Sequence, residues 1–244
     1  MPKIISYDWS SLDRNGLVDL CILSRKLIVN KNLKAKEITK IFRKQFKNSG
    51  IPLKIKTKFE LNVPKNKAWV GAIFDANDDK KKKKAITLDF IYNSNQDLVN
   101  FNYNDFYKLC YDVADTVLHE IIHMRQFRRR NYKDLIGYTS YAESSRQRKE
   151  QEYLGHSDEI DAYAFNIACV LNDNSNNPRS KSIKYINKAL KEAESKDNSY
   201  TMYLRNFNYD HNHKVIKKLK KRIAYYLPYA ELGKPYKTKD WLNW

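Results

Sequence analysis

The chain has 244 residues, 46 Lys+Arg against 28 Asp+Glu, and a formal net charge of +18. Its length suits one domain, or one domain with an appended lobe, and 42% hydrophobic with 13% aromatic residues excludes wholesale disorder. No stretch approaches the roughly 20 apolar residues of a membrane span, and MPKIISYDWS carries polar and acidic groups where a signal peptide needs an apolar run, so a cytoplasmic, non-membrane protein is expected.

Only 6 Gly and 6 Pro punctuate the chain, so each one counts. Residues 16–29 are mostly apolar and fit helix or strand. Residues 33–48 read as helix: Ile38, Ile41, Phe42 and Phe46 recur at helical spacing, with Gly50 as the stop. In 53–61, Leu53, Ile55, Thr57, Phe59 and Leu61 alternate with charged residues, the period of a half-buried strand. The segments 68–74 and 85–92 read as two further strands. DANDDKKKKK between them reads as a hydrophilic loop, which makes 68–92 a hairpin.

A long helix is expected over 105–127, with Asn104 as cap and Phe106, Leu109, Cys110, Val113, Val117 and Ile121 as its apolar stripe. Residues 131–156 are polar and aromatic, irregular or partly helical. Ser157 caps a helix over 158–171, and two more helices are expected at about 179–195 and 212–227. Strands grouped first and helices after give an α+β class. The expected division is a 1–175 domain with its core at about 33–171, and a basic helical extension, 176–244. Cys21, Cys110 and Cys169 are odd in number and lack paired spacing, so they read as small buried hydrophobes.

The chemistry concentrates in His119-Glu120-Ile121-Ile122-His123, within the long helix. Residues four apart share a helical face, so both imidazoles can reach one metal ion. Glu120 sits at the edge of that face, where it serves as a base on metal-activated water rather than as a ligand. Zinc suits imidazole and acidifies water to near neutrality. A catalytic zinc takes three protein ligands. Downstream, His156-Ser157-Asp158-Glu159-Ile160-Asp161 offers Glu159 as the third, with His156, Asp158 and Asp161 as rivals. Asp161 also suits a role in orienting a ligating His through its free N–H.

HExxH followed by a Glu on a later helix resembles the gluzincin pattern of zincin metallopeptidases. Glu159-Ile160-Asp161-Ala162-Tyr163-Ala164-Phe165 looks like the corresponding run of ImmA/IrrE-type peptidases, and is similar to one in HExxH proteins of bacteriophage genomes. Tyr163 stands where the ImmA-type run has Asn. The resemblance covers roughly residues 33–171. It implies a zincin-like fold: a small three-stranded, mostly antiparallel sheet packed on an HExxH helix and a Glu-bearing helix, with further C-terminal helices. It also implies one zinc ion held by His119, His123 and Glu159, Glu120 as catalytic base, a peptide or protein substrate, and host cytoplasm or virion as the setting of a phage-encoded chain.

An oxyanion needs a further donor, for which Tyr138, Tyr141, Tyr153, His156, His211 and His213 are candidates. One strand, 85–92, is the expected partner for an extended substrate. His211 and His213, two apart on a helix, point away from each other and do not suggest a second metal site.

Charge is unevenly distributed. Residues 1–104 hold 21 basic and 10 acidic residues, 105–175 hold 9 and 12, and 176–244 hold 16 and 6. The two flanks carry the excess, and three basic clusters stand out: Lys80, Lys81, Lys82, Lys83 and Lys84; Arg128, Arg129 and Arg130; and Lys217, Lys218, Lys220, Lys221 and Arg222 beside Tyr225, Tyr226 and Tyr229. Such clusters suit an acidic partner, nucleic acid among them. The alternative function is therefore a basic nucleic-acid-binding or particle-associated protein on a zincin scaffold.

Overall fold

A computed structural model describes residues 12–133, 146–173, 191 and 199–230. The chain divides into two compact units, Met1–Arg128 and Arg129–Trp244. Among the described residues no helix is long and apolar enough to cross a membrane. Tyr138, Tyr141 and nearly all of the helix expected at 179–195 lie outside the described residues.

The first unit begins with helices α1 (Arg14–Ile22) and α2 (Arg25–Ile28), which resolves the ambiguous 16–29 stretch as helical. Asp13 caps α1 by accepting from the Gly16 N–H at 2.7 Å. Strand β1 (Leu33–Lys34) leads into α3 (Ala35–Asn48). This helix ends as its sequence predicts: Gly50 takes φ +75°, and the N–H groups of Ile51 and Gly50 return to the carbonyls of Phe46 and Lys47, both at 3.1 Å.

Strands β2 (Leu53–Glu60), β3 (Ala68–Phe74) and β4 (Ile86–Asn93) form a sheet of order β2-β4-β3, and β1 pairs with β5 (Leu98–Val99) in a second, two-stranded sheet. β3 and β4 are the expected antiparallel hairpin. β2, however, runs parallel to β4 along its whole length, so the three-stranded sheet is mixed rather than mostly antiparallel. The reason is connectivity: the chain reverses once between β2 and β3 and again between β3 and β4, so β2 and β4 point the same way, and β4 lies between its neighbours. Burial along β2 also stops halfway, with Leu53 and Ile55 inside but Phe59 46% exposed, and Leu61 just past its end 68% exposed. The expected loop between β3 and β4 contains a short helix, α4 (Ala76–Lys80). It forms because the Asp75 carboxylate accepts from the N–H groups of Asn77 and Asp78 at 2.9 and 3.0 Å.

One face of β4 packs into the core. Phe90 stacks on Phe42 of α3 with centroids 4.8 Å apart, and Phe42 lies 6.4 Å from Phe106 of α5 (Tyr103–Arg129). α5 is capped by Asn102, not Asn104: the Asn102 side chain accepts from the Asp105 N–H at 2.8 Å. Its apolar stripe is buried throughout, as its periodicity predicts. Cys21, Cys110 and Cys169 are free thiols, all buried, and the Cys21 thiol is pushed well up by its hydrogen bond to Cys110 and by burial.

In the second unit α6 (Arg146–Gly155) and α7 (Ser157–Asp173) follow. The cap of α7 is His156 rather than Ser157, since the Ile160 N–H closes on the His156 carbonyl at 3.0 Å. α8 (Ser199–Asn206) was not legible from periodicity, and α9 (Lys214–Ala230) lies close to its expected place. α9 packs on α7 through Phe165 and Tyr226, ring centroids 5.7 Å apart. Tyr163 of α7 meets Tyr203 of α8 edge to face at 5.6 Å.

Candidate metal centre

From Val117 to Met124 every residue of α5 is buried, so the helix is enclosed on all sides where the motif falls. His119, Glu120 and His123 retain only 7%, 8% and 9% of their exposure. Burying ionisable side chains costs several kcal/mol unless each finds a partner or a metal. The concentration of three within five residues therefore asks for a common purpose.

The two imidazoles converge. Their Nε2 atoms are 3.0 Å apart, a separation that needs a proton or a cation between them. A tetrahedral ion with metal–nitrogen bonds of about 2.0–2.1 Å sets two ligand nitrogens roughly 3.3 Å apart, so the pair fits to within a few tenths of an ångström. The far nitrogen of His123, Nδ1, donates to Gln126 Oε1 at 2.8 Å. An amide oxygen at Nδ1 fixes the proton there and leaves Nε2 with its lone pair.

One ligand atom from each of His119, His123 and Glu159 lies within 4.8 Å of the other two, and all three residues are buried. This His-His-Glu group could bind a metal ion; among the described residues it is the one such cluster. The rival ligands are engaged elsewhere. Asp158 forms an ion pair with Arg130 at 2.8 Å. Asp161 pairs with Arg222 of α9 rather than orienting a histidine. His156 caps α7, and its Nδ1 receives the Asp158 N–H at 3.4 Å. His213 stacks on Phe207 at 4.6 Å and accepts from the Val215 N–H, a packing and capping role.

Tyr153, an oxyanion candidate from the sequence, and Tyr203, which the sequence did not single out, both interact with Glu159. Burial pushes the Tyr153 hydroxyl well above the usual phenol range, and the neighbouring Tyr163 and Glu159 add to that. Burial pushes Tyr203 up in the same direction, with Tyr163 and Glu159 adding. Of the oxyanion candidates, Tyr153 is therefore at the Glu159 carboxylate. Gln126 and Tyr203 were missed because Gln and Tyr are common and carry no spacing signature.

The basic clusters divide into paired and solvated groups. Arg128 makes two bonds to the buried Asp79, at 2.7 and 2.5 Å, which ties the end of α5 to α4. Arg130 and Arg222 hold Asp158 and Asp161. Lys80 to Lys84 and Lys217, Lys218 and Lys221 are exposed, while Lys220 is half-buried. The lysine run after α4 has acid beside it: Lys54 holds the Asp78 carboxyl below its usual range, and Lys83 and Lys81 add to that.

No protein family, curated protein or solved structure matches the chain.

Proposed function

We propose that the protein is a zinc-dependent hydrolase of peptide bonds, with His119, His123 and Glu159 as ligands and Glu120 as the catalytic base. The observation that carries this reading is the convergence of two imidazole nitrogens and a carboxylate within 4.8 Å, beside a buried glutamate that is not one of the three. The donor set, two nitrogens and one oxygen, suits zinc with a position left open for substrate.

When bound, the ion supplies a Lewis acid that polarises a carbonyl oxygen and acidifies a water. The chain's own residues do the rest. Gln126 keeps the His123 proton on Nδ1 and so presents Nε2 to the site. Tyr153 neighbours Glu159 and is placed to restrain its carboxylate. Glu120 takes a proton from the attacking water and delivers it to the departing amine nitrogen as the C–N bond breaks. The water oxygen is retained on the carbonyl carbon.

The strand expected to pair with substrate, 85–92, cannot do so, because β4 has β2 on one side and β3 on the other. The outer edge of β3 is the better candidate. Its last residue, Phe74, packs on Phe127 with ring centroids 5.6 Å apart, one helical turn beyond His123. An extended peptide added there would gain backbone hydrogen bonds at the end of the sheet next to the motif helix.

Metal analysis of the purified chain together with a peptide-cleavage assay tests the reading. About one zinc per chain is expected. Glu120→Gln should retain the zinc and lose about 10²–10⁴-fold in turnover, whereas His123→Ala should lose both metal and turnover. A wild type that takes up no metal overturns the proposal. So does stoichiometric iron without hydrolysis, since two histidines and one carboxylate also suit non-haem iron.

A further inference from the structure

Helix α9 has a second feature that is independent of the metal centre. Its buried residues, Val215, Ile216, Leu219, Ile223, Tyr226 and Ala230, form one face. At 100° per residue the opposite face carries Lys214, Lys217, Lys218 and Lys221, with Tyr225 next along the same line. All five are exposed. The helix contains no acidic residue, and among the described residues none of the four lysines forms an ion pair.

This arrangement works against the helix that bears it. Lys214 and Lys218, and Lys217 and Lys221, are like charges at i,i+4, each pair destabilising. They occupy the first two turns, where the helix dipole also disfavours cations. A local rule broken repeatedly with no compensating carboxylate among the described residues marks a place where something outside supplies it. The other lysine run, Lys80 to Lys84, differs in having Asp75, Asp78 and Asp79 within a few residues.

We infer that this face of α9 binds single-stranded nucleic acid, with Lys214, Lys217, Lys218 and Lys221 on phosphates and Tyr225 against a base. One or two cations per 5.4 Å turn match a periodic polyanion better than a single acidic side chain or ion. Arg222, held by Asp161, lies 4.5 Å over the Tyr225 ring and fixes its orientation, while 47% of Tyr225 stays exposed. A fixed, half-exposed ring at the end of a cationic stripe is the element that separates a single strand, whose bases are open, from a duplex. A membrane surface fits less well, because an interfacial helix inserts its apolar face and that of α9 is packed on α7.

Fluorescence anisotropy of the full chain with a labelled 20-nucleotide strand, and with its duplex, tests this. The strand should bind more tightly than the duplex, with log affinity falling against log salt at a slope of roughly −3 for four phosphate contacts. Replacing Lys214, Lys217, Lys218 and Lys221 together by Gln should weaken binding at least ~10-fold and flatten that slope. Replacing Lys80 to Lys83 by Gln should change affinity by less than about twofold. Tyr225→Leu should lower strand affinity by about 5-fold or more and leave duplex affinity unchanged. Should the fourfold variant misfold, Lys221→Glu alone serves, with the same direction expected. Four results overturn the inference: no binding at low salt, equal losses from the two lysine sets, a duplex preference indifferent to Tyr225, or anionic phosphatidylglycerol vesicles displacing the strand.

Discussion

Helix α5 buries His119, Glu120 and His123 within its enclosed stretch, whereas α9 keeps Lys214, Lys217, Lys218 and Lys221 in water and only its apolar residues inside. Both are amphipathic, and each departs from ordinary stability rules in its own way. α5 accepts the desolvation of ionisable groups, which a converging donor set and a metal ion would offset. α9 accepts like-charge repulsion at its surface, which an anionic partner would offset. Buried polar groups and surface cations without an ion pair among the described residues thus point to different ligands: a small cation in one case and an extended polyanion in the other.

The largest expected effect removes the seat on which the α5 side chains rest. Phe42→Ala takes away a fully buried ring that stacks on Phe90 and faces Phe106, and should cost about 3–5 kcal/mol in chemical denaturation. A much smaller loss would mean that α5 is held in place without this core, and the contrast with α9 would lose its physical basis. Next in size, Gln126→Leu should weaken zinc binding about 10–100-fold, measured by competition with a chromogenic chelator. In the metal-free protein the same variant should shift the His123 proton off Nδ1, visible in imidazole nitrogen NMR. An unchanged tautomer would remove Gln126 from its assigned role. The smallest effect belongs to α9. Lys217→Glu breaks like-charge pairs and places an acid in the early turns of the helix, so thermal stability should rise by a few tenths of a kcal/mol. A loss of stability would show that the lysine stripe is structural rather than a ligand face.

Where hydrophobic periodicity was strong, the sequence was readable. The span of β2, the stripes of α3 and α5, and the closing Gly50 of α3 all appear within a residue or two of their expected places. Caps were less certain, because Asn102 and Asn104, or His156 and Ser157, offer equivalent local chemistry a residue or two apart. α8 was invisible: Ser199–Asn206 is short and mixes aromatics with polar residues. The parallel pairing of β2 with β4 left no local trace, since a strand's residues do not record its neighbour's direction. Lysines and arginines looked alike in the sequence, yet Arg128, Arg130 and Arg222 turned out to brace buried or half-buried carboxylates. The bidentate fork of arginine suits that task.

The candidate site divides along the same line. His119 and His123 are four residues apart on one helix, so local backbone geometry alone aims them at a common point, and that half of the centre follows from the order of residues. Glu159 follows His123 by 36 residues, and spacing alone does not separate it from His156, Asp158 and Asp161. Only tertiary structure grouped it with the histidines and directed the two aspartates to Arg130 and Arg222. The physical reason is range: a helix fixes what lies within one turn, but which of several carboxylates meets a distant imidazole is decided by how the helices pack.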